Sequence, residues 1–207
     1  MTGEHRAILS DAISASRATS RAPARERLLA AALSQFGQRG LVEPTLEEVR
    51  AAAGVSVGAL YHHFPDKAHL AAALYSELTA DFQAGFLAEL REHPGAEDGV
   101  KAGLRHYLRW VSANRAAAAL LLAGRPAEDP ALREHNRRFL GEANAWWQTH
   151  VHYGVLRALP VEVIHALWLG PAQEYTRHWL AGRGRRLPAS ISGVLADAAW
   201  QSLKEDR

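Results

Sequence analysis

The side chains able to do chemistry in this sequence are above all histidines, eleven of them, against no cysteine at all. Without cysteine there are no disulfides and no thiolate metal sites. His150 and His152 come nearest to a ligand pair, but residues two apart on a helix point to opposite sides. Neither His62-His63 nor His106 has a carboxylate at a ligand spacing. No metal is expected. There is no Ser-His-Asp signature, no glycine-rich phosphate loop and no paired metal-ligand motif, so neither an enzyme nor a cofactor is expected. What remains is contact chemistry, concentrated between Thr45 and Lys67. Hydroxyls (Thr45, Ser56), a phenol (Tyr61), imidazoles (His62, His63) and an ammonium (Lys67) surround small or apolar Val57, Gly58 and Ala59. Helix N-termini such as those opened by Thr45 and Lys67 favour anions even before side chains help.

The elements that must position these groups are legible. Leu29, Ala32, Leu33 and Phe36 form one stripe of an amphipathic helix from about Pro23 to Gly40. Thr45 and Glu48 make a capping box for a short helix ending near Ala53. Gly54 supplies a turn, Val55 packs inward, and Ser56 caps a second short helix to about His63. Two short helices joined by a tight glycine turn form a helix-turn-helix. Its outer face stays low at Gly58 and Ala59, while Val55, Leu60 and Phe64 anchor its rear. Asp66 caps a long helix whose apolar positions recur every fourth residue, Leu70, Leu74, Leu78, Phe82, Phe86 and Leu90, and His93-Pro94-Gly95 ends it.

Helices are then expected over about 98–113, 115–123, 130–158 (opened by Asp129-Pro130), 161–181 (strained at Gly170-Pro171) and from Pro188 or Ala189 to about 204. Gly182-Arg183-Gly184 separates the last two. The fold class is all-α, about nine helices with no convincing strand and no internal repeat. The expected domains are an arm at 1–21, a three-helix DNA-binding domain at 22–81 with its helix-turn-helix at about 45–64, and a helical ligand-binding and dimerisation domain at 82–207.

Composition constrains partners less than motif does. Hydrophobic residues are 48% and charged residues 22% of the chain, and net charge is only +2. Between residues 21 and 70, Arg21, Arg25, Arg27, Arg39, Arg50 and Lys67 face Glu26, Glu43, Glu47, Glu48 and Asp66, a nearly neutral balance. Bulk charge therefore does not mark a nucleic-acid binder, and the case rests on geometry. The start lacks a secretory h-region, and the longest apolar run, 116–123, is far short of the roughly 20 residues a membrane span needs. A cytoplasmic location without a membrane partner is expected.

Leu28, Leu29, Ala32, Phe36 and Gly40, then Thr45, Val49, Ala53-Gly54-Val55-Ser56, Gly58, Leu60-Tyr61, His63-Phe64, Lys67 and Leu70 keep one spacing over some 45 residues. As a whole string this resembles the tetracycline-repressor (TetR/AcrR) family of transcriptional regulators. Beyond residue 80 the likeness is architectural, with weak echoes in Leu169-Gly170-Pro171 and Arg177-His178-Trp179-Leu180. The resemblance implies a homodimer on a palindromic double-stranded DNA operator, most simply a repressor released by a small-molecule effector. It implies DNA contacts from Thr45, Ser56, Val57, Gly58, Ala59, Tyr61, His62, His63 and Lys67, with Val57, Ala59 and His62 facing bases and Glu47 nearby. Val57 and Ala59 depart from the hydrogen-bonding residues of many relatives and suit a thymine methyl. Arg50 replaces a small residue and is expected to point outward along its helix. Arg17 and Arg21 belong to the arm, a tail or a minor-groove reader.

All six tryptophans lie beyond residue 82. His106, Tyr107, Trp110, Trp146, Trp147, His150, Trp168 and Tyr175 are candidate lining for an effector cavity, with plain core packing as the alternative reading of each. The last two helices resemble the family's dimerising pair. Ile191, Val194, Leu195 and Ala198 would face the partner, or pack on their own domain in a monomer. A protein–protein adaptor that keeps the fold without DNA affinity is a competing reading, favoured by Val57, Ala59 and the near-neutral charge.

Overall fold

A computed structural model describes residues 22–124, 130–182 and 189–206. Among them are ten helices: α1 Ala24–Arg39, α2 Leu46–Ala53, α3 Val57–His63, α4 Lys67–Glu92, α5 Ala96–Ala113, α6 Arg115–Ala123, α7 Pro130–His152, α8 Val161–Trp168, α9 Gly170–Ala181 and α10 Ala189–Leu203. The only β pairing among the described residues is an isolated antiparallel bridge between Leu156 and Lys204. The arm at 1–21 with Arg17 and Arg21, Asp129 before α7, and Arg183-Gly184 and Pro188 before α10 lie outside the described residues.

The chain divides into two compact units, one running to Asp81 and including Asn114–Arg133, the other formed by Phe82–Ala113 and Glu134–Arg207. The first division falls inside α4. In the first unit, α1 buries Leu28, Leu29, Ala32, Leu33 and Phe36. Each Leu or Phe hidden in this way contributes roughly 1.5–3 kcal/mol. α1 packs on α2, α3 and α6, so the apolar helix α6 belongs with the N-terminal helices and not with the helices that flank it in sequence. The α1–α6 contact is close because Gly37 has no side chain: a Cβ there would lie 2.6 Å from Ala116 Cβ. Of the four-residue row on α4, Leu70, Leu74 and Leu78 are buried in this unit.

In the second unit α10 lies along α5 and α8. It buries Ala196, Ala199 and Leu203, and Lys101 of α5 is ion-paired with both Glu97 and Asp197. Two expectations shift here. The helix from Pro130 ends at His152, not near 158, because Gly154 turns to φ 63°. Residues 155–157 instead pair with the C-terminal segment, through Arg157 N–H to Leu203 carbonyl at 3.0 Å and Glu205 N–H to Val155 carbonyl at 2.9 Å. The helix expected over 161–181 breaks at Leu169 into α8 and α9, with Pro171 in the first turn of α9. Proline lacks the N–H that a continuous helix would need there, and the break gives ten helices where about nine are expected.

Gly37→Ala tests the α1–α6 contact. Helix propensity alone would stabilise this variant by about 0.5–1 kcal/mol, whereas overpacking costs about 1–3 kcal/mol. The clash is expected to win, lowering unfolding stability by about 1–2 kcal/mol. Adding Ala116→Gly should restore it. Chemical denaturation followed by circular dichroism reads both, and a single variant as stable as the parent would show that α6 yields freely.

Candidate nucleic-acid interface

Helix α3 has only seven residues, too few to be stable alone, so its aim depends on what lies behind and before it. Behind, Val55, Leu60 and Phe64 are buried at 4%, 1% and 4% exposure. Arg25, ion-paired with Glu77 of α4, lies over the Phe64 ring at 5.9 Å from its centroid. Before it, Gly54 takes the left-handed conformation, φ 62° and ψ 38°, which glycine adopts without a Cβ clash. Two guanidinium groups hold the carbonyls of this turn. Arg27 of α1 donates to Gly54 carbonyl at 3.3 Å, and Arg50 of α2 donates to Val55 carbonyl at 2.6 Å. Arg50 also pairs through Nε with both oxygens of Glu47, at 2.9 and 2.8 Å. It therefore does not point outward as expected but turns back to brace the turn. That pairing also holds the Glu47 carboxyl below its usual range.

The outward side carries Val57 and Tyr61, 54% and 57% exposed, with Gly58 and His62 exposed beside them. Open space lies where a Gly58 side chain would be. Ala59 is half-buried, and so is His63, which sits next to Phe64. Ser56 caps α3 by accepting Ala59 N–H at 3.2 Å; as a cap acceptor its hydroxyl keeps its proton to donate. Thr45 is more fully committed. Its hydroxyl accepts Glu48 N–H at 3.1 Å and donates to Glu48 Oε2 at 2.9 Å, while its own N–H donates to the same carboxylate at 2.6 Å. These two Thr45 bonds, with Arg39 beside them, pull the Glu48 carboxyl down to about 2. Asp66 caps α4 by accepting His69 N–H at 2.9 Å. Lys67 reaches back to Val42 carbonyl at 2.7 Å, tying the start of α4 to the loop that leads into α2.

In the second unit most of the aromatic candidates pack the core, and two of them also line a cleft. Several are core with their polar ends already satisfied. His106 Nε2 lies 3.1 Å from Phe82 carbonyl, Tyr107 hydroxyl is 2.7 Å from Thr176 Oγ1, and Trp168 donates to Val100 carbonyl at 2.9 Å. Burial raises the Tyr107 phenol pKa. Trp110 packs edge-on to Phe82, Trp146, whose buried indole N–H has no partner, stacks on Trp168, and His150 meets Trp146 at 4.4 Å, where burial lowers its pKa and favours the neutral ring. Tyr175 is half-buried.

Trp147 and Trp168 also line a cleft that opens to solvent and encloses about 80 Å³. Phe139, Leu140, Ala143 and Asn144 of α7, Val161, Ile164 and His165 of α8, Leu169 and Phe86 complete it. Sequence reading missed these residues, although Leu140, Ala143, Asn144, Trp147 and Val161, Ile164, His165, Trp168 are two stripes at helical spacing that could have been matched. The indole N–H of Trp147 is buried without a partner, an arrangement that costs about 1–3 kcal/mol when nothing accepts it. Among the described residues no group of three or more His, Asp or Glu gathers as a metal site, and no helix is long and apolar enough to cross a membrane.

A capped helix, a left-handed glycine turn and a short exposed helix held from behind define a helix-turn-helix reading head. Comparison with known proteins agrees. The family model for bacterial regulatory proteins of the tetR family matches residues 28–74, which contain this head and the first turns of α4. HTH-type transcriptional regulator CymR of Pseudomonas putida is 29% identical over 179 residues, covering 86% of this chain and 81% of that one. HTH-type transcriptional regulator AcrR of Shigella flexneri is 38% identical over 79 residues, a match spanning only 37% of its length. Among solved structures, a TetR family transcription regulator from Marinobacter aquaeolei VT8 superposes with a TM-score of 0.74 at 14% identity, over 89% of this chain and 97% of that one. FadR of Bacillus subtilis, solved with stearoyl-CoA, superposes with a TM-score of 0.70 at 15% identity, over 84% and 96%. The chain carries the helix-turn-helix of the TetR/AcrR family of transcriptional regulators and is similar over most of its length to regulators of that family.

The cap on α2 gives a pH dependence with a fixed sign. Glu48 is depressed from an ordinary 4.5 to about 2, so its contribution is complete above the ordinary value and fades as pH falls toward the depressed one. The gap in thermal midpoint between the parent and Glu48→Gln is therefore expected to be widest at neutral pH and to close as pH drops from about 4.5 to about 2. A gap that stays constant or widens in acid would mean that carboxylate charge does not hold this cap.

Proposed function

We propose that the chain acts as a homodimeric repressor on a palindromic operator, released when a small molecule occupies the second unit. The observation that carries the DNA-contact assignment is α3 itself, its rear buried and its Val57–Tyr61 side exposed. In this reading the Ser56 hydroxyl, the Tyr61 phenol and the Lys67 ammonium contact phosphates and set register. Val57, Ala59, Gly58 and His62 face base edges, with Val57 methyls suited to a thymine methyl. Thr45 serves by positioning α2, since its hydroxyl is engaged with Glu48 in both directions, and His63 by steadying the helix end.

Dimerisation is supported by α10. Val194 is 63% exposed, Ala198 is exposed, and Ile191 and Leu195 are half-buried, so this stripe is not consumed by packing on its own unit. Symmetric pairing would cover it and present two heads to two half-sites. The effector reading is supported by the cleft between α7 and α8. α4 passes from the first unit into the second and is the element through which occupancy would change head spacing. A switch from 1:99 to 99:1 needs about 5.5 kcal/mol of preference for the misaligned state.

Fluorescence anisotropy on duplex DNA from upstream of the coding region tests the contacts. Tyr61→Phe and Lys67→Ala are each expected to weaken binding by about tenfold, and loss of Lys67 should reduce the salt slope by about 1. Thermal melts run alongside check the Lys67–Val42 tie. Full affinity in the double variant would refute these contacts. No binding by the parent at low ionic strength would favour the adaptor reading.

A further inference from the structure

We infer that the α7–α8 cleft holds an uncharged, mostly apolar ring molecule carrying one hydrogen-bond acceptor. This rests on the proposal that the second unit takes an effector, and it names that effector's chemistry.

Charge decides the class first. Among the described residues lining the cleft there is no Lys, Arg, Asp or Glu, and the imidazole of His165 is the one titratable group, so an ionised ligand would give up its hydration with no permanent counter-charge to meet it. The walls decide the shape. Trp147 and Trp168 lie with ring centroids 5.8 Å apart, and Phe86 and Phe139 meet edge to face at 5.7 Å. Such surfaces favour flat or ring-shaped apolar groups. The enclosed space is small, about 80 Å³, so a ring is held in part at the open side, where Leu140 and Val161 are half exposed.

The polar atoms decide the acceptor. Of the two tryptophans, Trp168 has already given its N–H to Val100 carbonyl and offers nothing more. Trp147 has a buried N–H with no partner. Asn144 adds amide donors at the exposed side. A carbonyl, ether or phenol oxygen on the ligand would complete what the fold leaves unmade, once a small movement of the ring opens the Trp147 N–H to it.

Two dyes with one skeleton test this: uncharged N-phenyl-naphthylamine, and anilinonaphthalene sulfonate, which adds an anion. The full chain is expected to bind the uncharged dye with a fluorescence blue shift, and the sulfonate at least about tenfold more weakly. Ala143→Trp should fill the cleft and abolish dye binding. Asn144→Lys, at an exposed position where folding is undisturbed, should narrow the gap by favouring the sulfonate. Acetylnaphthalene should displace the dye at least about threefold better than ethylnaphthalene of similar size.

Equal affinity for both dyes, insensitivity to both variants, or equal competition by the two naphthalenes would overturn the assignment. So would uncharged-dye binding that weakens as protein concentration rises, the sign of a second copy seated on the cleft. Parallel anisotropy on DNA keeps the failures apart. Selective binding that leaves DNA affinity unchanged upholds the ligand class and refutes the effector role. DNA binding without any dye binding refutes the cleft and leaves the reading head standing.

Discussion

The structure of the reading head depends on two arginine-to-carbonyl bonds at one turn. A seven-residue helix has no cooperative stability of its own, and α3 must still hold Val57 and Tyr61 outward. Hydrophobic anchoring by Val55, Leu60 and Phe64 fixes its depth. Apolar contact is non-directional, however, and would tolerate rotation about the helix axis. The bonds from Arg27 and Arg50 to the carbonyls of Gly54 and Val55 add direction. They reach the turn from different helices, α1 and α2, so the entry angle of α3 is referred to both.

The same bonds explain why net charge is a poor guide in this chain. Of the cations between residues 21 and 70, Arg25, Arg39 and Arg50 are ion-paired with glutamates. Arg27 is turned onto Gly54 carbonyl and Lys67 onto Val42 carbonyl. Much of the positive charge is used for architecture. A surface of this kind has little long-range field with which to gather phosphates, so shape and a few placed donors carry the burden. The capping box sharpens this, because it leaves an ionised Glu48 at the start of α2, where a bare helix N-terminus would otherwise attract an anion.

What could be read in advance follows the range of the interactions. Local signals were legible: the Thr45–Glu48 box, the Gly54 turn, the Asp66 cap and the four-residue row of α4 all act within about one helical turn. Arg50 was not, since its partner carbonyl on Val55 becomes reachable only when the turn has folded. Nor was the allegiance of α6, whose alanine and leucine run offers no face that specifies α1 as its neighbour. Gly154 lies inside an otherwise helical pattern, so the end of α7 at His152 was hidden, and with it the pairing of 155–157 with the chain end. The tryptophans misled in a different way. Aromatic richness marks the second unit, where the cleft lies, but whether a ring lines a cavity or packs a core depends on where its polar atom goes. Tyr107 and His106 place theirs inside the core.

The chain crosses between the two units at residues 81–82, 113–114 and 133–134. The first and third crossings lie within α4 and α7. α7 also supplies one wall of the cleft. A ligand there would influence the first unit only through a difference in its contacts between two arrangements of that wall. At about 25 cal/mol per Å² of apolar surface, the 5.5 kcal/mol of a full switch corresponds to about 220 Å² buried in one arrangement and not in the other. Leu140 and Val161, on opposite walls, are 48% and 46% exposed, so the cleft as it stands is not closed. Its unspent apolar rim is where such a difference would have to arise.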